Sequence, residues 1–232
     1  MNDLIFNALI AISELIYTFI IVFITNFLVK KKTISADISR KIVHLWAGGL
    51  VFFWFFYKAE FAKLFFIITP LIWVLMLIIT AYTKDSTDPT VRSMTRSGDS
   101  KELLHGPLIF VLMMILMTFL AFKTLAGVAA LSALGFGDGI APIVGVYSKR
   151  KYLGGRKSYG GSLSVFLFTL VGILVLILLF PSITNYKFLP SIDILWIIIA
   201  AMIGTVVEAF TPSNYDNLTV PIMVWLFLLV TI

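Results

Sequence analysis

The sequence predicts an all-α integral membrane protein, a single polytopic domain over residues 1–232 built as a bundle of about eight transmembrane helices. Composition is the first observation behind that prediction. The chain is 60% hydrophobic and only 13% charged, against about 25% charged in ordinary soluble domains. The second is a mean hydropathy of +1.03. A chain this apolar cannot hide its surface in a core of its own size, so bilayer must cover the rest. The third is the recurrence of uncharged runs near the ~20 residues that a helix needs to cross the hydrocarbon. Together they exclude a soluble enzyme, a disordered chain and a nucleic-acid binder, despite the net charge of +6. No cysteine is present, which removes disulfides and thiolate metal sites.

The helices follow in order. The run 4–29 is too long for a signal peptide and lacks a basic leader and a small-residue cleavage site, so it reads as a span. Glu14, in its middle, is expected to be a hydrogen-bonded packing carboxylate. The second span, 42–57, is short, and the third covers 62–82. The fourth, 106–122, opens on Gly106-Pro107, where proline suits a helix start. The fifth, 124–147, carries Gly135, Gly137, Gly139 and Pro142, and is expected to be a broken helix. The sixth, 163–181, has Ser162 as its expected N-cap. Spans at 192–210 and 217–232 complete the set.

Basic residues set the expected sidedness. With eight spans and both termini outside, the inner connections 30–41, 83–105, 148–162 and 211–216 hold 14 of the 18 Lys and Arg residues. Lys58, Lys63, Lys123 and Lys187 remain outside. A functional site is therefore expected on the cytosolic face.

Polar groups at membrane depth are expensive and point to function. Asp138 lies between Gly137 and Gly139 in the interrupted fifth span, where backbone irregularity is tolerated if it is buried or lines a wet cavity. Close approach of a metal-bound phosphate suits that carboxylate. The connection Gly154-Gly155-Arg156-Lys157-Ser158-Tyr159-Gly160-Gly161-Ser162 combines cations with accessible backbone N–H groups at a helix start, an arrangement that binds anions. Its spacing is not that of a Walker loop. Arg40, Lys41 and His44 lie at the start of the second span, with Arg40 and His44 four residues apart on one helix face. There, Arg40 suits phosphate oxygens and His44 suits taking a proton from a hydroxyl. Arg92 and Arg96 sit four residues apart before Gly98, with Glu102 and His105 following. Glu208 and Asp216-Asn217 flank the last inner turn. A plainer explanation exists for each group alone: small-residue packing, a basic inner loop, an interfacial anchor, solvated charges. Taken together, three carboxylates (Asp138, Glu208, Asp216) suit Mg²⁺, and Arg and Lys from separate loops suit a polyphosphate. A lipid is the expected second substrate, because the site would open onto bilayer.

Five motifs stand in order at sensible spacing: Arg40-Lys41-x-x-His44; Met94-Thr95-Arg96-Ser97-Gly98 with Glu102-Leu103-Leu104-x-Gly106-Pro107; Gly137-Asp138-Gly139-x-Ala141; Lys157-Ser158-x-x-Gly161-Ser162; and Glu208 with Asp216-Asn217-Leu218-Thr219-Val220-Pro221. Over roughly residues 38–225 they resemble the CTP-dependent polyprenol kinase family, which includes phytol, farnesol and dolichol kinases and is more distantly similar to membrane cytidylyltransferases. The second motif looks most like the phytol and farnesol kinase branch. The resemblance implies transfer of the γ-phosphate of CTP to the terminal hydroxyl of an isoprenoid alcohol, with Mg²⁺. It implies that His44, Asp138 and Lys157 are catalytic, and that Asp138, Glu208 and Asp216 bind metal. Arg40, Lys41, Arg92, Arg96, Gly137, Gly139, Ser158, Gly161, Ser162 and Asn217 would bind the nucleotide. Two rival readings are a CTP-dependent lipid-phosphate cytidylyltransferase and, less favoured, a transporter of a phosphorylated solute. The absence of a visible transit peptide suggests a prokaryotic cell membrane, with the site facing the cytoplasm.

Overall fold

In the computed structural model, residues 2–152, 157–179, 190–212 and 215–231 are described, and most of them are helical. The chain divides into two compact units, Met1–Leu116 and Met117–Ile232.

The first unit begins with α1 (Asp3–Lys30), capped by the Asn2 side chain. α1 turns a polar stripe inward: Asn7, Glu14, Thr18 and Thr25 are buried, while Ile5, Leu9, Ile12, Ile16 and Phe23 are exposed. This reverses the pattern of a helix in water, as a lipid-facing element requires. Each inward polar group finds a partner. Asn7 exchanges two hydrogen bonds with the Lys58 backbone, at 2.6 and 2.8 Å. The Trp73 indole donates to Thr18 at 2.9 Å. The Glu14 carboxylate accepts from the Tyr57 hydroxyl at 2.6 Å, as expected of a packing carboxylate. Thr18 and Thr25 also bond back to α1 carbonyls.

The second span differs from its expectation. α2 (Ala36–Gly48) starts earlier, capped by Ser35, whose side chain accepts from the Ile38 N–H. It gives way at Gly49 to a 3₁₀ segment, Gly49–Phe55. Gly49 allows a close approach at this point: a Cβ on it would lie 2.5 Å from the Tyr17 hydroxyl, which donates to the Trp46 carbonyl. α3 (Ala62–Thr83), the short α4 (Pro89–Met94) and a 3₁₀ turn at Ser100–Leu104 follow. Trp73, Leu77, Ala81, Val91, Met94 and Leu103 form a core among them. α5 (Gly106–Ala121) leads out of this unit.

The second unit holds α6 (Leu125–Ser132), α7 (Asp138–Tyr147), α8 (Tyr159–Leu179), α9 (Pro190–Phe210) and α10 (Asp216–Thr231). Leu125, Ala129, Ala133, Ile173, Ile197, Ala200, Val220, Val224 and Leu228 pack at its centre. The expected break in the fifth span is absent. α6 and α7 join through one π-helical turn, Ala133–Gly137, and the whole run Leu125–Tyr147 stays helical. The glycines that suggested a break serve close packing instead. A Cβ on Gly137 would lie 2.3 Å from the Thr169 hydroxyl on α8. Between α7 and α8 a short antiparallel pair, β1 (Lys151–Tyr152) and β2 (Lys157–Ser158), sets Lys151 opposite Ser158 and Tyr152 opposite Lys157. Gly154, Gly155 and Arg156 lie outside the described residues, as do the last residues of the sixth span expected at 163–181.

Among the described residues, five helical runs are long and apolar enough to cross a membrane: Asp3–Lys30, Ala62–Thr83, Ser100–Ala121, Leu125–Tyr147 and Tyr159–Leu179. Ile194–Phe210 and Asp216–Thr231 are apolar but shorter. The expected second span does not qualify, because its α-helix stops at Gly48.

Candidate active site

In the second unit, three helix ends and the β hairpin bring charged side chains together. Asp138 is the first residue of α7, directly after the π turn. Pro142 has no N–H to offer the carbonyl four residues back, so the ladder is open at Asp138. Lys157, on β2, forms an ion pair with Glu208 in the last turn of α9. Both side chains are largely withdrawn from solvent, at 14% and 5% exposure. Asp216 and Asn217 open α10 and are buried, and the Asn217 N–H donates to the Asp216 carboxylate at 2.9 Å. Asp216 lies within electrostatic reach of Asp138, Lys157 and Glu208. The expected residues Asp138, Lys157, Glu208 and Asp216 are therefore assembled in one cluster, with Ser158 and Asn217 beside them in the chain.

The start of α8 corrects an expectation. Ser162 is not its cap: the helix begins at Tyr159, and the buried Ser158 hydroxyl accepts from the Gly161 N–H at 3.1 Å. Ser162 instead pairs with the Tyr152 hydroxyl. The Ser148 hydroxyl accepts from the Gly160 N–H at 3.2 Å, and the Arg150 carbonyl accepts from Tyr159. The N–H groups of Tyr159, Gly160 and Gly161 thus have partners within the fold. Gly161 is needed for packing, since a Cβ there would lie 3.0 Å from the Ser158 hydroxyl and 3.2 Å from the Ala141 carbonyl. Gly137 likewise packs on Thr169, and Gly139 is buried within α7. Gly137 and Gly161 thus allow close approach of α7 and α8.

The first unit carries a cationic group of its own. Arg40 pairs with Asp37 one turn earlier on α2, at 2.9 Å. This bond holds the Asp37 carboxyl below its usual range, and Lys41, Arg40 and Arg96 add to the effect. Asp37 thus marks where Arg40, Lys41 and Arg96 gather, a role the sequence reading missed. Its position three residues before Arg40 on one helix was the available signal. The His44 ring meets Phe110 of α5 edge-on, with ring centroids 4.5 Å apart. The Arg92 Nε donates to the Ser86 carbonyl at 2.8 Å and braces its own loop. Glu102 accepts from the backbone of Arg96 and Ser97, which shapes the turn that presents Arg96.

Several curated proteins are similar to this chain over most of its length. Phytol kinase 1, chloroplastic, of Arabidopsis thaliana is 31% identical over 202 residues, covering 84% of this chain and 66% of that protein. A probable phytol kinase, chloroplastic, of Zea mays is 30% identical, covering 84% and 67%. The probable phytol kinase 1, chloroplastic, of Glycine max is 30% identical over 234 residues, covering 95% of this chain and 76% of its own length. This chain belongs to the phytol kinase family. It spans about two thirds to three quarters of the length of these three relatives. No protein-family model matches it, and no solved structure does. The named phytol kinases are plant chloroplast proteins and lend no support to the expected prokaryotic cell membrane.

A magnesium site in a phytol kinase fold would draw on the acidic cluster. Among the described residues, no group of three or more His, Cys, Asp or Glu side chains is arranged to hold a metal ion. The expected trio is not preformed, because Lys157 takes Glu208. Two carboxylates such as Asp138 and Asp216, completed by substrate phosphates and water, would suit the habits of Mg²⁺.

Proposed function

We propose that this protein is a membrane-bound kinase that transfers the γ-phosphate of CTP to the terminal hydroxyl of an isoprenoid alcohol such as phytol, geranylgeraniol or farnesol. The single observation that carries the reading is the similarity to phytol kinases across 84–95% of the chain. The charged cluster of Asp138, Lys157, Glu208 and Asp216, in which Glu208 and Asp216 are buried, supports it, since phosphoryl transfer asks chiefly for positioning and charge neutralisation.

In this reading Asp138 and Asp216 would hold Mg²⁺, which when bound would supply neutralisation of the phosphate charge. Lys157 offers its ammonium to the phosphate oxygens. The family motifs that contain Arg40, Lys41 and Arg96 assign these cations to phosphate, and the motif of His44 assigns it the proton of the alcohol. The alcohol oxygen forms a bond to the γ-phosphorus, the bond from that phosphorus to the bridging oxygen breaks, and CDP leaves. The apolar tail of the alcohol stays in the bilayer, in contact with lipid-facing helices.

The deciding experiment uses the purified full chain in detergent with Mg²⁺, CTP labelled on the γ-phosphate, and C15 to C20 prenols. Label in a prenyl monophosphate, with CDP released, is the expected result. Pyrophosphate release from CTP on addition of a lipid phosphate, without transfer to any alcohol, would replace this reading with a cytidylyltransferase.

A further inference from the structure

Glu208 was expected among the metal ligands, and its surroundings argue for a different task. It sits in the last turn of α9 and its carboxylate is engaged by Lys157, from β2. The β2 strand is itself held in register with β1, with Tyr152 opposite Lys157, and the Tyr152 hydroxyl is tied to Ser162 of α8. Lysine carries its charge on a flexible four-carbon stem, so a lysine that must meet a phosphate at one place needs something to fix it. A buried carboxylate does so, and the ammonium has three donors, so binding Glu208 leaves others for an incoming anion. The same bond withdraws Glu208 from a cation, because a carboxylate that balances a buried ammonium cannot be taken away without leaving that ammonium unpaired.

We infer that Glu208 is a positioning residue that holds Lys157 toward the donor phosphates, and that Asp138 and Asp216 are the protein's own ligands to the divalent metal. This rests on the reading of the acidic cluster as the nucleotide site. Three variants of the full chain in detergent test it: Glu208→Gln, Asp216→Asn, and the double variant Lys157→Met with Glu208→Leu. The double variant removes both charges at similar volume, so its fold carries no lone buried charge. Binding of Mn²⁺, a spectroscopic stand-in for Mg²⁺, is followed by electron paramagnetic resonance, and binding of CTP by calorimetry.

The expected result is that Glu208→Gln and the double variant keep wild-type Mn²⁺ affinity, while Asp216→Asn loses it. Glu208→Gln should also weaken CTP by about tenfold or more, and Glu208→Asp should restore it. A folded double variant that loses Mn²⁺ as fully as Asp216→Asn would overturn the assignment and return Glu208 to the metal. A folded wild-type protein that binds neither Mn²⁺ nor CTP would overturn the nucleotide-site reading itself, and with it this assignment.

Discussion

Glu14 is fully buried on α1, where the Tyr57 hydroxyl donates to its Oε2 and its Oε1 has no hydrogen-bond partner. A carboxyl in that position is stable only while its donor stays. Tyr57→Phe removes the donor and leaves the acceptor in place, at a cost of about 1–3 kcal/mol. We expect that loss as a lowered thermal unfolding temperature in detergent. Combining it with Glu14→Leu should recover most of the loss, because removing both partners leaves nothing unsatisfied. Equal destabilisation in the double variant would mean that the cost lies in packing around Tyr57. Glu14 was visible in the sequence as a charge in an apolar run, but its partner is 43 residues away. No local pattern links the two.

At the scale of the element, the π turn at Ala133–Gly137 decides where Asp138 points. One extra residue in the turn shifts everything after it by about 100° around the helix axis. The turn is seated against α8: Thr169 meets Gly137, while Ser132 and Phe136 meet Gly172. Gly137→Ala would put a methyl group 2.3 Å from the Thr169 hydroxyl. We expect a stability loss of about 1–3 kcal/mol from overpacking, measured by thermal unfolding. Thr169→Ala should relieve part of it, since the Thr169 hydroxyl has no hydrogen-bond partner to lose. A pair of variants that combine without any relief would show that the clash is with the Val165 backbone instead. The sequence pointed to this segment correctly as irregular, through its glycines and proline. It misjudged the form of the irregularity, because glycine permits both a break and a close approach, and only the neighbouring helix selects between them. The cap of α8 carries the same lesson. Ser158 and Ser162 are both good caps by type, and the β hairpin that ends at Ser158 settles which one starts the helix.

For the whole molecule, the strongest global pattern is the distribution of its cations. If positive charge stays on the cytosolic side, Lys31 and Lys149 lie inside and Lys58 outside. The chain has no cysteine, so single cysteines at these three exposed positions give clean reporters. A membrane-impermeant maleimide added to intact cells should label Lys58→Cys, and should label Lys31→Cys and Lys149→Cys only after permeabilisation. The opposite pattern would invert the orientation and move the acidic cluster to the outer face.

Composition and hydropathy by themselves determined that this is a helical membrane protein, because burial in lipid constrains every residue of a spanning segment at once. Ordered motifs determined the family, and the charged residues they contain include all four members of the charged cluster. The tertiary structure decided how those charges are used. It paired Lys157 with Glu208 across 51 positions, gathered Arg40, Lys41 and Arg96 near Asp37, and satisfied the amides at the start of α8 with Ser148 and Ser158. A sequence shows which groups are present, but pairing depends on distances set by packing between remote segments, and a carboxylate or an amide has only so many partners it can serve.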